Sequence, residues 1–88
     1  MGLFRIEFKS SIEHDLKRVD RQLIPKILSF IEKLASDPFP HGYKKLKDSD
    51  SLYRLRFGSY RIIYKVDLDF KIIYLYHIRN RKDVYRKQ

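Results

Sequence analysis

The chain has no cysteine and no tryptophan, only three glycines, three prolines and one methionine, and few acids: 11 Asp and Glu against 20 Lys and Arg. Without cysteine, disulfide scaffolds, cysteine-ligated zinc and thiol nucleophiles are excluded. The glycines, Gly2, Gly42 and Gly58, are too scattered for a phosphate-cradling loop of the P-loop or dinucleotide kind. Neither GxSxG nor HExxH occurs, and His14, His41 and His77 lack metal-ligand spacing, so neither a metal nor another cofactor is expected. No apolar run approaches the ~18 residues of a membrane-spanning helix. Residues 1–9 lack the apolar stretch of a secretory signal, so the expected location is the cytoplasm, without membrane association.

What is present fits one small globular domain spanning residues 1–88. Apolar residues make up 43% and charged residues 35%, a folded rather than disordered composition. The net charge of +9 is unevenly placed. Residues 1–40 carry 7 basic and 6 acidic side chains, whereas residues 41–88 carry 13 and 5. A basic half of this kind predicts an anionic partner, with nucleic acid the first candidate.

Phe4, Ile6 and Phe8 alternate with Arg5, Glu7 and Lys9, the period of a strand. Ser10 and Glu13 match a capping box, and Ile12, Leu16 and Val19 behind it predict a short helix over roughly residues 11–19. A second helix is expected from near Asp20–Gln22, with Pro25 in an early turn and an apolar stripe from Leu23 to Leu34. Asp37-Pro38 and Pro40 end it. A loop runs to Ser51, and three strands follow: Leu52–Phe57, Tyr60–Val66 and Phe70–Ile78. Gly58-Ser59 joins the first two as a type II′ hairpin turn, and Asp67–Asp69 joins the last two. The expected fold is α+β: an N-terminal strand, a helical hairpin, then a three-stranded antiparallel meander, with the helices on one face of a four-stranded sheet.

The hairpin register carries the functional signal. A two-residue turn pairs Phe57 with Tyr60, Leu55 with Ile62 and Tyr53 with Tyr64, all on one apolar face. Arg54 and Arg56 then fall on the other face, with Arg56 directly across from Arg61. Opposed like charges disfavour folding by roughly 0.2–1 kcal/mol. An anion between them reverses the sign, since guanidinium forks hold phosphate through charge-assisted bonds. A turn at Asp67–Asp69 sets Val66 opposite Phe70. It sends Ile72, Tyr74, Tyr76 and Ile78 to the helix side, and Ile73, Leu75, His77 and Arg79 to the arginine side. The ordinary alternative is a solvated sheet face on which arginines deter edge-to-edge aggregation.

Leu52-Tyr53-Arg54-Leu55-Arg56-Phe57-Gly58-Ser59-Tyr60-Arg61-Ile62-Ile63-Tyr64 resembles the central hairpin of the RelE/ParE toxin superfamily. Tyr76-His77-Ile78-Arg79-Asn80-Arg81-Lys82-Asp83-Val84-Tyr85 resembles its C-terminal segment, and Lys45-Leu46-Lys47 fits as well. The resemblance implies a toxin of a type II toxin–antitoxin system, with a cognate antitoxin as partner. In the RelE branch such proteins cut mRNA in the ribosomal A site, without metal, by attack of a ribose 2′-OH on the adjacent phosphate. In the ParE branch they poison DNA gyrase instead. By matching positions, Arg61 and Arg79 look like the phosphate-stabilising arginines, and Tyr85 like the aromatic that orients the substrate nucleotide. Arg54 and Arg56 stand where RelE-type nucleases often carry lysines, and arginine is a poor general base. The base is left open among Lys45, Lys47 and His77, while Lys45, Lys47, Arg81 and Lys82 are expected RNA contacts. A non-catalytic basic RNA-binding domain is the remaining alternative.

Overall fold

A computed structural model describes residues 3–46 and 51–80. Strand β1 (Arg5–Phe8) leads directly into helix α1 (Ser10–Leu16), followed by helix α2 (Ile24–Glu32). Strands β2 (Lys44–Lys45), β3 (Leu52–Phe57), β4 (Tyr60–Asp67) and β5 (Ile72–Asn80) complete a five-stranded sheet in the order β1-β5-β4-β3-β2. The β1–β5 pair is parallel and the others are antiparallel. The α+β class and order of the longer elements match expectation; the fifth strand does not. Lys44–Lys45 was expected in a loop, and two residues are too few to show a period. They pair with Arg54 and Tyr53.

Both helices turn apolar stripes toward the same side of the sheet. Ile12, Ile27, Ile31 and Leu34 meet Ile62, Tyr64, Ile73 and Leu75, all essentially without solvent contact. The capping box does not form. The Lys9 N–H still bonds the Leu75 carbonyl, so Ser10 is already helical and Lys9 holds the cap position without a side-chain bond. Helix α1 also ends before residue 19, in turns that tighten onto the carbonyls three residues back, and these still deliver Val19 to the core. Single 3₁₀ turns flank α2 at Arg21–Leu23 and Lys33–Ala35. Asp20 caps the first through Gln22 N–H, and Pro25 occupies the first turn of α2.

The β3–β4 pairs are those expected: Phe57 with Tyr60, Leu55 with Ile62, Tyr53 with Tyr64. Gly58 takes φ +59 while Ser59 does not go positive, as a type II′ turn requires. The β4–β5 connection differs. The Asp67 carboxylate accepts the N–H groups of Asp69 and Phe70 at 3.0 Å, and Lys71 adopts φ +56. These bonds stabilise a four-residue loop, so Val66 faces Ile73 rather than Phe70. Ile73 and Leu75 therefore enter the core, and Ile72 and Tyr74 go to the outer face, the reverse of the expected sides.

A part-buried hydrogen bond ties the 38–43 loop to the sheet. Tyr64 Oη donates to the Pro38 carbonyl at 2.8 Å, and Tyr53, packed against the Tyr64 ring, meets Phe39 and Tyr43 edge-to-face. Burial, then the neighbouring Tyr43, Tyr53 and Asp37, push the Tyr64 hydroxyl far above the usual tyrosine range, so it remains a donor. Tyr64→Phe is expected to cost about 1 kcal/mol, read as a lower urea midpoint with unchanged m-value. An unchanged midpoint would show that the bond contributes nothing net.

Candidate functional site

The helices leave one sheet face uncovered, and the basic side chains converge there. Arg56 pairs with Arg61 across β3–β4, and Arg61 with Arg79 across β4–β5. The result is a lateral row of three guanidinium groups on adjacent strands. A second row runs beside it through Lys44, Arg54, Ile63 and His77. A hollow of about 40 Å³ opens at the hairpin end, lined by Arg56, Gly58, Ser59, Tyr60 and Arg61.

A β-bulge places the β5 members of these rows. Ile63 pairs with His77 but Tyr64 with Leu75, so Tyr76 has no partner on β4. The extra residue reverses the side on which each later side chain falls. Ile78 turns into the core while His77 and Arg79 join the arginines. On its other edge, β5 loses β1 at the same point, because β1 ends at Phe8. Backbone groups freed there need partners. Helix α1 supplies them from two positions one turn apart: Ser11 Oγ donates to the Tyr76 carbonyl, and Asp15 Oδ2 accepts the Ile78 N–H at 3.0 Å. The Lys9 ammonium lies 5.5 and 5.8 Å from the ring centres of Tyr74 and Tyr76, a cation–π contact that also holds the bulged residue.

Asp15 makes a second bond, to His77 Nδ1 at 3.0 Å. The two side chains are 12% and 31% exposed. Arg79 Nη2 lies 3.2 Å from Nδ1 and 3.4 Å from Nε2 of the same ring. Near-equal distances to both nitrogens place the guanidinium nitrogen over the ring rather than in line with either lone pair. Among the described residues, the only ion pairs are Arg5–Glu7 and His77–Asp15. None of Arg54, Arg56, Arg61 and Arg79 is paired with a carboxylate there. No group of three or more His, Asp or Glu side chains among the described residues could hold a metal ion.

Of the residues singled out from sequence, Arg54, Arg56, Arg61, His77 and Arg79 thus share one face. Lys45 does not: it pairs with Tyr53 on the helix side, and Lys44, opposite Arg54, takes the place it was expected to fill. Lys47, Arg81, Lys82 and Tyr85 lie outside the described residues. Sequence reasoning missed Lys44, Ser11 and Asp15. The one local signal for the last two was their spacing of four on an amphipathic helix, beside the buried Ile12.

The row is internally repulsive, because each guanidinium faces another across the ladder. Arg61 has such a neighbour on both sides. Arg61→Gln is therefore expected to stabilise the free protein by roughly 0.2–1 kcal/mol at low ionic strength. The gain should vanish near ~1 M salt, where screening acts over about 3 Å. Urea titrations at both ionic strengths check this, and destabilisation at low salt would contradict it.

Comparison with known proteins places this architecture. The family model for the ParE toxin of the type II toxin–antitoxin system parDE matches residues 6–85. RelE1 of Methanocaldococcus jannaschii is 34% identical over 86 residues, covering 94% of this chain and 96% of that protein. The archaeal RelE–RelB complex from Pyrococcus horikoshii contains a chain that superposes with a TM-score of 0.77 at 27% identity, covering 92% of this chain and 97% of that one. The RelB–RelE complex from Methanococcus jannaschii gives 0.73 at 28% identity, with 90% and 94% covered. The chain belongs to the ParE toxin family of type II toxin–antitoxin systems, within the RelE/ParE superfamily.

Proposed function

We propose that this toxin is a ribosome-dependent endoribonuclease that cleaves mRNA in the A site, acting in the cytoplasm and held inactive by a cognate antitoxin. The observation that carries the reading is the Arg56–Arg61–Arg79 row, three directly opposed cations on an uncovered face with no carboxylate partner among the described residues. A phosphodiester laid across the row relieves their repulsion and receives bidentate hydrogen bonds.

In the proposed reaction the 2′-OH proton passes to a base, and the freed electron pair forms the O2′–P bond. The P–O5′ bond breaks, O5′ takes a proton, and the products are a cyclic phosphate and a free 5′-OH. Negative charge grows on the non-bridging oxygens in the transition state, and preorganised donors act most strongly there. Arg61 and Arg79 are assigned that role, and Arg54 and Arg56 hold the flanking backbone. Among the described candidates His77 is assigned as the base, because Lys45 faces the helix side and the arginines stay protonated. Tyr85 is assigned to stack on the substrate nucleotide, with Lys47, Arg81 and Lys82 as further RNA contacts. The archaeal relatives crystallised as RelE–RelB complexes support an antitoxin partner for this chain. No helix among the described residues is long and apolar enough to cross a membrane.

The name of the matching family model favours a second reading, gyrase poisoning of the ParE type. Purified protein incubated with programmed ribosomes, followed by mapping of mRNA ends, separates the two. Cuts within the A-site codon are expected. Arg61→Ala and Arg79→Ala should each slow single-turnover cleavage by about 10²-fold or more with the fold intact by circular dichroism. Uncut mRNA together with inhibited supercoiling would establish the second reading instead. RNA binding with neither effect would leave a non-catalytic RNA-binding domain.

A further inference from the structure

We propose that Asp15 is a positioning residue that fixes the ring orientation and tautomer of His77, leaving Nε2 as the free proton acceptor beside the arginine row. The functional half of this inference rests on the nuclease reading; the structural half does not.

One carboxylate oxygen makes two bonds to β5. Asp15 Oδ2 lies 3.0 Å from both the Ile78 amide nitrogen and His77 Nδ1. The first bond locks the carboxylate to the β5 backbone, so the second holds the imidazole to a fixed point. An ionised carboxylate can only accept. Nδ1 must therefore carry the hydrogen, and the neutral ring keeps its lone pair on Nε2. The nearest charged group on β5, Arg79, lies over the ring and occupies neither lone pair. The facing residue on β4 is Ile63, which offers no competing hydrogen bond. Among the described residues, Nε2 is thus left without an in-plane partner next to the guanidinium row. When it accepts the 2′-OH proton, the new imidazolium stays against the Asp15 carboxylate, which offsets the charge placed beside Arg79.

A purely structural role is the competing account. Closing the bulge requires only an acceptor for the Ile78 N–H, and an asparagine oxygen provides one. Asp15→Asn keeps that acceptor while also presenting an amide N–H₂, so the fixed demand for a hydrogen on Nδ1 is lost. Ser11→Ala removes the neighbouring bond to the bulge without touching the imidazole.

The test is ¹⁵N NMR of the histidine side chains in the intact protein, assigned with His77→Gln, together with single-turnover cleavage of mRNA on ribosomes. The wild type should show His77 with Nδ1 protonated and Nε2 bare. Asp15→Asn should shift the ring toward a mixture of tautomers. It should lower the cleavage rate 10- to 100-fold at saturating ribosome complex, and adding His77→Gln should bring no multiplicative loss. Ser11→Ala should lower the denaturation midpoint yet leave the tautomer as in the wild type. A wild-type ring protonated on Nε2 overturns the proposal, whether or not any variant folds. So does an Asp15→Asn protein with unchanged tautomer, or one with unchanged rate. A wild type that leaves mRNA uncut removes the nuclease reading, while the tautomer measurements still judge the Asp15–His77 geometry.

Discussion

At Tyr76 strand β5 takes one residue too many for its neighbour, and the two faces of the sheet exchange roles beyond that point. Before the bulge Ile73 and Leu75 point to the core; after it Ile78 does, and His77 and Arg79 face outward. The irregularity sits where β1 stops and the outer edge of β5 would otherwise meet solvent or an apolar helix. Two polar side chains of α1 satisfy that edge, Ser11 on the bulged carbonyl and Asp15 on the next free amide. These bonds satisfy backbone groups at the bulge that neither β1 nor β4 pairs. A regular ladder would carry Arg79 to the helix side. One turn of α1 thus braces the stretch of β5 that sets Arg79 beside Arg61.

On the proposed reading, the arrangement sets stability against function at one surface. Three guanidinium groups in register across three strands oppose the fold that presents them. The apolar layer on the other face offsets this, with Ile62, Tyr64, Ile73 and Leu75 sealed under both helices. Their rigidity keeps the cations at fixed spacing, and a site that stabilises developing charge needs that preorganisation. On that reading, a polyanionic ligand and an acidic partner segment would each relieve the same repulsion.

The sequence made the β3–β4 hairpin legible because a two-residue turn led by glycine leaves one register, and that register set Arg56 against Arg61. It also suggested that His77 and Arg79 share the arginine face, but by a route that the structure corrects. The loop after Asp67 is longer than expected and inverts the parity of β5; the bulge at Tyr76 inverts it back. The two inversions, a three-residue register shift and a one-residue bulge, cancelled for the side on which His77 and Arg79 fall and not for Ile72, Ile73, Tyr74 and Leu75. Neither step had a clear local signature, since the loop depends on Asp67 bonding forward and the bulge on a helix more than sixty residues away. Asp15 was invisible for the same reason. Its partners are at 77 and 78, and in sequence it reads as one more solvated acid on an amphipathic helix. The Ser10–Glu13 pattern misled in the opposite direction, as a local motif displaced because β1 runs straight into α1.

The central claim is that the outer-face row, assembled by the bulge, is where a phosphate backbone binds. The most direct measurement is the salt dependence of binding to a 2′-deoxy-substituted RNA oligonucleotide, which cannot undergo 2′-OH attack. For single strands each lost phosphate contact lowers the slope of log K against log salt by about 0.7. Arg61→Gln and Arg79→Gln should each reduce the slope by about that amount, and Lys26→Gln, on α2, should leave it unchanged. Equal slopes in all of these proteins would contradict the account, because the nucleic acid would then be held somewhere other than the arginine row.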